Sequence, residues 1–373
     1  MAEFGSAAPG DGERESSPTA SETVLVTGAF GLVGTATIRR LAEDGRRVVA
    51  TDLETPAYVK AAKKLPAGVE VRWADLTDRA QVDELLGSVA PTAIIHLVGM
   101  IAPAIYKNPQ LGRAVNVGIT RSLLAAAQAQ ATPPRFVHAS SVAVFGPRNP
   151  HRYSDRARAD SPTCPNDIYG ATKLEAEELV RSCSLEWVIL RLGGVISTRL
   201  TSMLSSWDVV FFESALPADG RIHTVDVRDA AKAFATATTA DVAGQILLIG
   251  GDDSHLLRYS DAGHDMTEAV GLGGALPPGR PGDPNNDLNW FATDWMDAGP
   301  AQEYLAFQHY SWPAILAEIR AQLGWKRQLL RPFVPIVRAI LTRRSAYHGR
   351  PGTYADPWAV IRSRLGDPSP ESH

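Results

Sequence analysis

Short apolar runs alternate with amphipathic segments along residues 21–195. Runs such as 24–26, 47–51 and 93–95 are separated by longer stretches in which apolar residues recur at helical spacing. Strands that alternate with helices in this way are typical of a parallel sheet covered by helices on both faces. We therefore predict an α/β fold, a Rossmann-type doubly wound parallel sheet, with a smaller C-terminal substrate-binding lobe.

Composition changes along the chain and suggests four parts. Residues 1–20 are rich in Gly, Ser, Pro, Ala and Glu and have no apolar run, so we expect them to be disordered. Residues 21–195 are predicted to form the Rossmann domain. Residues 196–325 are predicted to form the substrate-binding lobe, which partly rejoins the Rossmann core at about 225–250. Residues 326–373 form a basic and apolar C-terminal extension.

The first predicted strand leads into a glycine-rich turn and then a helix over residues 35–43. The turn contains Thr27, Gly28, Ala29, Phe30, Gly31, Leu32, Val33 and Gly34. Backbone N–H groups at a helix start attract a pyrophosphate. Gly28 permits the tight turn, Gly31 lets phosphates approach the backbone, and Gly34 allows close packing of helix on strand. The turn predicts a dinucleotide site, with Phe30 and Leu32 among its contacts.

Asp52 ends the second predicted strand, about 20 residues beyond the glycine turn. A carboxylate at this position accepts hydrogen bonds from the adenosine ribose and repels a 2′-phosphate. The predicted cofactor is therefore NAD and not NADP. The alternative is that Asp52 is an ordinary acid of a surface turn.

Tyr169 and Lys173 are four residues apart in a predicted helix over residues 169–183, so they share one helix face. An ammonium beside a phenol favours the phenolate, and we expect it to lower the pKa of Tyr169 towards neutral pH. Tyr169 can then exchange a proton with a substrate oxygen while hydride moves to or from a nicotinamide. Ser141, upstream, would hydrogen-bond the same oxygen. The alternative is a chance pair on a solvated helix face.

These motifs, in this order, resemble the extended short-chain dehydrogenase/reductases, the NAD-dependent epimerase/dehydratase family. The resemblance runs from about residue 22 to about residue 250. Besides the glycine turn, it rests on residues 75–76, 96–99, 116–120, 140–146, 169–173 and 225–229. It implies that Asp75 and Leu76 contact the adenine. It also implies that Leu97, Val98 and Gly99 close the fourth strand over the cofactor.

The resemblance also assigns the site residues. Its catalytic set is Ser141, Tyr169, Lys173 and Asn116, and Tyr169 and Lys173 are expected to contact the cofactor as well. Ser141 is preferred to its neighbouring serine because it stands five residues before a glycine, the family's catalytic spacing. Asn116 is either a proton-relay or helix-kinking residue, as in the family, or an ordinary polar helix residue. The resemblance further implies a homodimer formed by the helices that carry Asn116 and Tyr169.

Departures from the family pattern bear on the reaction. A dehydratase of the family has Asp and Glu just after its serine or threonine, where this chain has Val142 and Ala143. Residues 191–197 lack the family's Asn and Tyr-Gly-Pro turn, and residues 200–220 contain no Lys or Arg to clamp a diphosphate. The apolar residues of that stretch either line a pocket for a less polar substrate or belong to the core. Ser141, Val142 and Gly194 are the predicted substrate contacts.

Three functions remain open. The first is an NAD-dependent epimerase or dehydrogenase that acts on a secondary alcohol or ketone, with a nucleotide sugar as one substrate class. The second is a dehydrogenase or reductase of a less polar hydroxy or keto compound, with exchangeable NAD. The third is a non-catalytic NAD-sensing protein, which the presence of Ser141, Tyr169 and Lys173 argues against.

Charge and cysteine content limit the partners. A net charge of −4 gives no reason to expect nucleic acid binding. No His, Cys or carboxylate residues occur at metal-ligand spacing, so we predict no metal. Two cysteines, Cys164 and Cys183, fit a reducing cytoplasm better than a disulfide framework.

The C-terminal extension has an unusual charge pattern, because residues 319–355 contain no acid. Its basic residues are Arg320, Lys326, Arg327, Arg331, Arg338, Arg343, Arg344 and Arg350, and apolar residues lie between them. A basic amphipathic segment can lie on an anionic membrane surface. The alternative is packing on the protein's own acidic surface or on a partner subunit, which the acidic excess of the remaining chain favours.

Overall fold

The computed structural model describes residues 22–199 and 206–371, so the predicted disorder of residues 1–20 lies outside the described residues. Its strands are β1 (Thr23–Thr27), β2 (Arg47–Asp52), β3 (Glu70–Trp73), β4 (Ala93–His96), β5 (Arg135–Ser141), β6 (Trp187–Leu192), β7 (Gly194–Ile196), β8 (Arg221–Asp226), β9 (Gln245–Ile249) and β10 (Leu256–Arg258). Seven of them form one sheet in the order β3-β2-β1-β4-β5-β6-β9. All of its pairings are parallel. The predicted fold class is confirmed.

Helices connect the strands and cover both faces of this sheet. They are α1 (Leu32–Glu43), α2 (Pro56–Ala62), α3 (Arg79–Val89), α4 (Ala104–Lys107), α5 (Pro109–Arg113), α6 (Ile119–Gln128), α7 (Ile168–Ser182), α8 (Trp207–Ala215), α9 (Val227–Ala237), α10 (Tyr259–Ala269), α11 (Gly299–Leu305), α12 (Trp312–Leu323), α13 (Val334–Arg344) and α14 (Pro357–Arg364). A π turn (Ala114–Gly118) precedes α6, and 3₁₀ turns include Val142–Phe145 and Gly324–Phe333. No helix among the described residues is long and apolar enough to cross a membrane.

Both faces of the main sheet are buried, which explains why its strands read as continuous apolar runs. Along β1, Val24 and Val26 lie in a core cluster with residues of α1 and α9. Leu25 lies in a second cluster, with residues of α3 and α6. The order of the strands reverses between β1 and β4, and in open α/β sheets ligands bind beside the carboxyl ends of strands at such a point.

A three-stranded sheet in the order β10-β8-β7 lies outside the main sheet. Its strand β8 belongs to this smaller sheet, whereas the next helix, α9, packs on α1 in the main core. Strand β9 then pairs with β6 in the main sheet. The segment around residues 225–250 therefore begins in the smaller sheet and ends in the larger one.

Candidate active site

The glycine turn brings three backbone segments into close contact at the switch point. Gly28 has φ +67°, and a Cβ there would lie 2.9 Å from the Leu97 carbonyl carbon and 2.9 Å from the Val98 nitrogen. A Cβ on Gly34 would lie 2.1 Å from the Gly28 oxygen. By contrast, a Cβ on Gly31 would meet only that oxygen, at 3.4 Å. Space therefore remains in front of Gly31, where α1 begins at Leu32 and its N–H groups attract anions.

Asp52 lies at the carboxyl end of β2 beside this turn. Its carboxylate accepts hydrogen bonds from the Phe30 N–H at 3.1 Å and the Leu53 N–H at 3.0 Å. Burial raises the pKa of Asp52 above its ordinary value, and the two backbone hydrogen bonds oppose this effect. Two N–H groups thus fix the carboxylate, and its remaining lone pairs can accept from ribose hydroxyls.

Two aromatic residues that the sequence analysis did not identify flank the same region. The Phe30 ring stacks with Trp73 at 5.2 Å and with Tyr58 at 5.5 Å between centroids. Trp73 ends β3, two residues before the predicted adenine contact Asp75. This position could have identified Trp73 from the sequence as a residue near the cofactor site. Tyr58 lies in α2, a helix that no motif marked.

The other predicted cofactor contacts follow β3 and β4. The Asp75 carboxylate accepts from the Thr77 N–H at 2.9 Å and from the Thr77 hydroxyl at 2.6 Å. Leu76 is buried in the core under this edge of the sheet. The Leu97 N–H donates to the Thr27 carbonyl at 3.2 Å, which holds the end of β4 against the glycine turn. Their contact with an adenine stays a prediction.

Ser141 and Tyr169 meet at the carboxyl end of β5. Ser141 caps the following 3₁₀ turn by accepting from the Ala143 N–H at 3.2 Å, and Tyr169 lies in the first turn of α7. Burial raises the pKa of Tyr169 to about 12, although its hydrogen bond with Ser141 acts in the opposite direction. The expectation that Lys173 lowers this pKa towards neutral pH is therefore wrong, because it neglected burial.

Lys173 lies one turn further along α7 and is itself buried. Its ammonium donates to the Ala139 carbonyl at 2.9 Å instead of to the tyrosine hydroxyl. Burial lowers the pKa of Lys173 to about 8, and the nearby carboxylate of Glu177 raises it. A Cβ on Gly99 would lie 3.1 Å from the Lys173 Nζ, so the end of β4 passes directly beside this ammonium.

Asn116 is buried in the π turn before α6. Its amide donates to the Met100 carbonyl and to the Thr172 hydroxyl, both at 3.0 Å. Its oxygen accepts from the Met100 N–H at 2.7 Å. The side chain therefore ties the loop after β4 to α7, and it sits where the helix is locally widened. Such π bulges are frequent at functional sites.

The predicted substrate residues lie on two sheets. Ser141 and Val142 are adjacent at the end of β5, and Val142 packs into a buried cluster with Leu248 and Met296. Gly194 lies in β7 of the smaller sheet, where a Cβ would come 2.9 Å from the Ile222 side chain. Gly194 therefore belongs to a different sheet, although Leu192, two residues before it, pairs with Ser141.

Sequence comparison identifies the family. Residues 24–250, more than half of the chain, match the sequence model described as the NAD dependent epimerase/dehydratase family. The chain belongs to the NAD-dependent epimerase/dehydratase family. The resemblance predicted from the motifs is confirmed, and NAD as the family's cofactor agrees with the prediction from Asp52.

Two curated relatives of this family are named as sugar-nucleotide epimerases. UDP-glucose 4-epimerase 4 of Oryza sativa subsp. japonica is 30% identical over 185 residues, which cover 46% of this chain and 48% of that protein. UDP-glucose 4-epimerase of Rhizobium leguminosarum bv. trifolii is 32% identical over 193 residues, which cover 50% and 56%. The chain spans about half the length of the curated relatives it matches.

Solved structures of the family match over a longer part of the chain. A short-chain dehydrogenase/reductase superfamily protein from Agrobacterium tumefaciens with bound NAD has a TM-score of 0.64 and 26% identity, and the match covers 83% of this chain and 100% of that one. UDP-glucose 4-epimerase from Thermotoga maritima with UDP-glucose also has a TM-score of 0.64. Its identity is 16%, with 83% and 99% covered, so this likeness shows the fold alone.

Within this family fold, a buried polar network fixes α7 to the sheet. The Glu177 carboxylate accepts two hydrogen bonds from the Arg191 guanidinium, at 2.9 and 2.7 Å, and one from the Ser140 hydroxyl at 2.5 Å. All three side chains are buried. The sequence analysis did not identify this network, although an arginine inside the apolar run of β6 was a usable signal.

An apolar cluster covers the other side of Tyr169. It contains Ile105, Tyr106, Ile168, Phe211, Phe212, Val360, Ile361 and Leu365, with Tyr169 packed against it. The Tyr106 hydroxyl donates to the Asp167 carboxylate at 2.6 Å, and Asp167 caps α7 by accepting from the Gly170 N–H at 2.8 Å. Burial raises the pKa of Asp167 to about 6. The C-terminal residues 360–365 therefore belong to the wall next to the predicted catalytic tyrosine.

Proposed function

We propose that this protein is an NAD-dependent epimerase or oxidoreductase that acts on a secondary alcohol or its ketone, with a nucleotide sugar as the substrate class. One observation carries the proposal: at the carboxyl end of β5 the Tyr169 phenol lies close enough to Ser141 for that side chain to lower its pKa, and the Lys173 ammonium binds the Ala139 carbonyl of the same strand. The switch point of the sheet adjoins them. This arrangement supports proton exchange at a substrate oxygen close to a nicotinamide.

The residues present fit NAD. The close backbone approaches at Gly28 and Gly34 leave no room for side chains, while the space before Gly31 suits a pyrophosphate at the α1 N-terminus. Asp52 offers a fixed carboxylate for the ribose hydroxyls. When bound, NAD supplies the hydride acceptor and donor of the reaction.

The side chains of this protein then handle the proton. With a pKa of about 12, the Tyr169 hydroxyl is protonated at neutral pH and can donate to a ketone oxygen. When the substrate alcohol is oxidised, Tyr169 must instead accept a proton in its phenolate form. A nearby cation stabilises this phenolate. The Lys173 ammonium, with a pKa of about 8, is largely charged at neutral pH and can supply this field. Ser141 holds the same substrate oxygen by a hydrogen bond.

The residues after Ser141 favour epimerisation or simple oxidation over dehydration. Val142 and Ala143 have no acid–base group with which to eliminate water. The names of the curated relatives support a nucleotide sugar and epimerisation at its C4. The missing diphosphate clamp in residues 200–220 supports the second candidate, a dehydrogenase or reductase of a less polar hydroxy compound.

Tyr169→Phe tests the proposal. We expect turnover of UDP-glucose, or of whichever alcohol a screen identifies, to fall by about 10²- to 10⁴-fold, because the proton donor is lost. NAD binding should be retained, since the phenol ring stays. Tyr304→Phe, at an exposed tyrosine on α11, is the matched control and should leave turnover unchanged. Undiminished turnover by Tyr169→Phe would contradict the proposal.

Mass spectrometry of the nucleotide released by acid separates the two candidates. NAD retained at near-stoichiometric amounts favours an epimerase, because the cofactor must return its hydride within one cycle. An empty site that binds added NAD weakly favours a dehydrogenase with exchangeable cofactor. Recovery of NADP would contradict the role given to Asp52.

We also propose, from the family resemblance, a homodimer formed by the helices that carry Asn116 and Tyr169. Sedimentation equilibrium would measure its mass, and a monomer at micromolar concentration would argue against it.

A further inference from the structure

The segment from 324 to 344 exposes several of its large apolar side chains. Neither the 3₁₀ turn Gly324–Phe333 nor α13 contains a buried residue. We define the basic apolar surface as the apolar residues Trp325, Leu329, Phe333, Ile336 and Ile340, together with the basic residues Lys326, Arg327, Arg331, Arg343 and Arg344. Exposed fractions of the apolar five run from 42% for Ile340 to 71% for Trp325. Val334, Val337 and Leu341 of the same helix are half-buried, so one face of α13 packs on the protein while these five apolar side chains stay exposed.

The spacing of the apolar residues makes a continuous stripe on α13. Phe333 at the helix N-cap, Ile336 and Ile340 are separated by three and four residues, so they share one face. A further exposed aromatic residue lies beside the helix end, because the Arg344 guanidinium sits 4.1 Å above the Trp207 ring. Exposed aromatic and aliphatic residues of this kind at one site mark an interaction surface.

The charge around this stripe is of one sign. No acid occurs between residues 319 and 355. Within the part of the chain that the structure describes, Lys326, Arg327, Arg331, Arg338 and Arg343 form no ion pair with an acidic side chain. A second copy of this surface would be repelled by this uncompensated positive charge, so the partner must be anionic and able to accept apolar side chains.

We propose that the basic apolar surface binds an anionic lipid bilayer. Trp, Phe and Ile enter the boundary between headgroups and acyl chains, while the lysine and arginine heads stay with the phosphates. At eleven residues, α13 is suited to lie in the interface and not to span the bilayer. This proposal is independent of the proposed catalytic function.

Docking in this way brings the wall of the candidate active site near the bilayer. Directly after α13, the Ala346 N–H donates to the Ser214 hydroxyl of α8 at 2.9 Å. Later in the same extension, the Pro368 carbonyl accepts from the Ile168 N–H at the start of α7 at 2.9 Å. The chain that carries the basic apolar surface therefore continues into the contacts next to Tyr169.

Vesicle flotation of the full-length chain tests the proposal. The probes are phosphatidylcholine vesicles with and without phosphatidylglycerol. We expect binding to the anionic vesicles at least tenfold tighter than to the neutral ones, and weakening as salt is raised. Trp325→Ser with Phe333→Ser should reduce the binding at least tenfold, because it removes the inserted rings. Leu288→Ser, at a residue 68% exposed elsewhere, is the matched apolar control and should bind like the unmodified chain.

A second pair of variants isolates the charge. Arg331→Gln with Arg343→Gln should reduce binding to anionic vesicles at least tenfold. Lys63→Gln with Lys64→Gln removes the same charge from an exposed site after α2 and should have a much smaller effect. These side chains are exposed, so circular dichroism should show unchanged folding in every variant.

Several results would overturn the proposal. They are absence of binding to anionic vesicles, equal binding to neutral vesicles, or unchanged binding by both the Trp325/Phe333 and Arg331/Arg343 variants. Light scattering provides an additional check for a protein partner. Self-association that is lost on Trp325→Ser would assign the surface to another copy of the chain and contradict the lipid assignment.

Discussion

At the scale of single residues, burial controls the ionisation of the candidate site. The pKa of Tyr169 is raised to about 12, that of Asp167 is raised to about 6, and that of Lys173 is lowered to about 8. In each case burial is the largest cause and favours the neutral form. These side chains thus lie in a low-dielectric environment, which strengthens electrostatic interactions between them.

Asp167 offers a direct test of this burial through the pH dependence of stability. Its pKa is raised from 3.8 to about 6, so its contribution to stability is fully present below pH 3.8 and is lost as pH rises through 6. The loss is about 3 kcal/mol, because each tenfold change in proton affinity corresponds to about 1.4 kcal/mol. Asp167→Asn cannot titrate, so its free energy of unfolding relative to the unmodified chain should rise by about this amount between pH 4 and pH 7.

Urea unfolding between pH 4 and pH 7 measures the difference in free energy of unfolding between Asp167→Asn and the unmodified chain. Burial also raises the pKa of Asp229 to about 6. Asp229 titrates in both proteins, so its contribution cancels in the difference between their free energies of unfolding. Asp241→Asn, at an exposed position, removes one carboxylate in the same way and is the control. A flat difference for Asp167→Asn would mean that Asp167 is not effectively buried.

Comparison of Gly28 with Gly45 tests whether the close backbone packing at the glycine turn is needed for the predicted cofactor site. Gly28 and Gly45 both have positive φ, +67° and +71°, but only Gly28 is crowded by the backbone after β4. Gly45→Ala should lower the free energy of unfolding by about 1 kcal/mol, the cost of a left-handed alanine. Gly28→Ala should lower it by about 3 kcal/mol or more, because β1 and β4 must also separate.

Urea unfolding and calorimetric NAD titration check both glycine variants. NAD affinity should fall at least tenfold for Gly28→Ala and stay unchanged for Gly45→Ala. Equal effects of the two substitutions would show that close approach of the backbone is not what Gly28 provides.

At the scale of elements, the position of α7 depends on the buried pair Glu177–Arg191. Removing one partner leaves an unpaired buried charge, which costs about 3–5 kcal/mol. Glu177→Leu and Arg191→Met should each destabilise the protein by about this amount. The double variant should be less destabilised than the sum of the two, since no unpaired charge remains.

A double-mutant cycle by urea unfolding measures this coupling. The exposed pair Arg79–Asp83 in α3 is the control, and Asp83→Asn should change stability by no more than about 0.5 kcal/mol. Additive losses for Glu177 and Arg191 would show that the pair does not hold α7 in place.

Elements with a strong local pattern were predictable from the sequence. The helix predicted over residues 169–183 is observed as Ile168–Ser182, and the strand predicted over 47–51, with Asp52 at its end, as Arg47–Asp52. The helix predicted over 35–43 begins earlier, at Leu32, because its N-cap is Gly31, which has no capping side chain to signal the start.

Contacts between distant chain segments were not predictable, even where one of the residues had a local sequence signal. Glu177 and Arg191 come from α7 and β6, and Phe30, Tyr58 and Trp73 come from three separate elements. The direction of the Tyr169 pKa was wrong for the same reason. Its neighbour Lys173 is visible in the sequence, whereas the segments that bury the phenol come from elsewhere in the chain.

At the scale of the whole molecule, the C-terminal extension has two parts with different surroundings. Residues 324–344 are exposed, whereas α14 contributes Val360 and Ile361 to the buried cluster around Phe211 and Tyr169. Composition alone divided the chain at residue 326 and suggested one uniform extension. We propose instead that its last part folds together with the Rossmann domain and completes the wall of the site.

This proposal predicts how two isoleucines of the extension differ. Ile361 is fully buried, so Ile361→Ala should lower the free energy of unfolding by about 2–5 kcal/mol through lost burial and a cavity. Ile340 lies on the exposed stripe of α13, and Ile340→Ala should change stability by no more than about 0.5 kcal/mol. Urea unfolding followed by circular dichroism should show one shared transition in both variants. A separate early transition in Ile361→Ala, with the main one unmoved, would mean that α14 unfolds independently and does not stabilise the wall beside Tyr169.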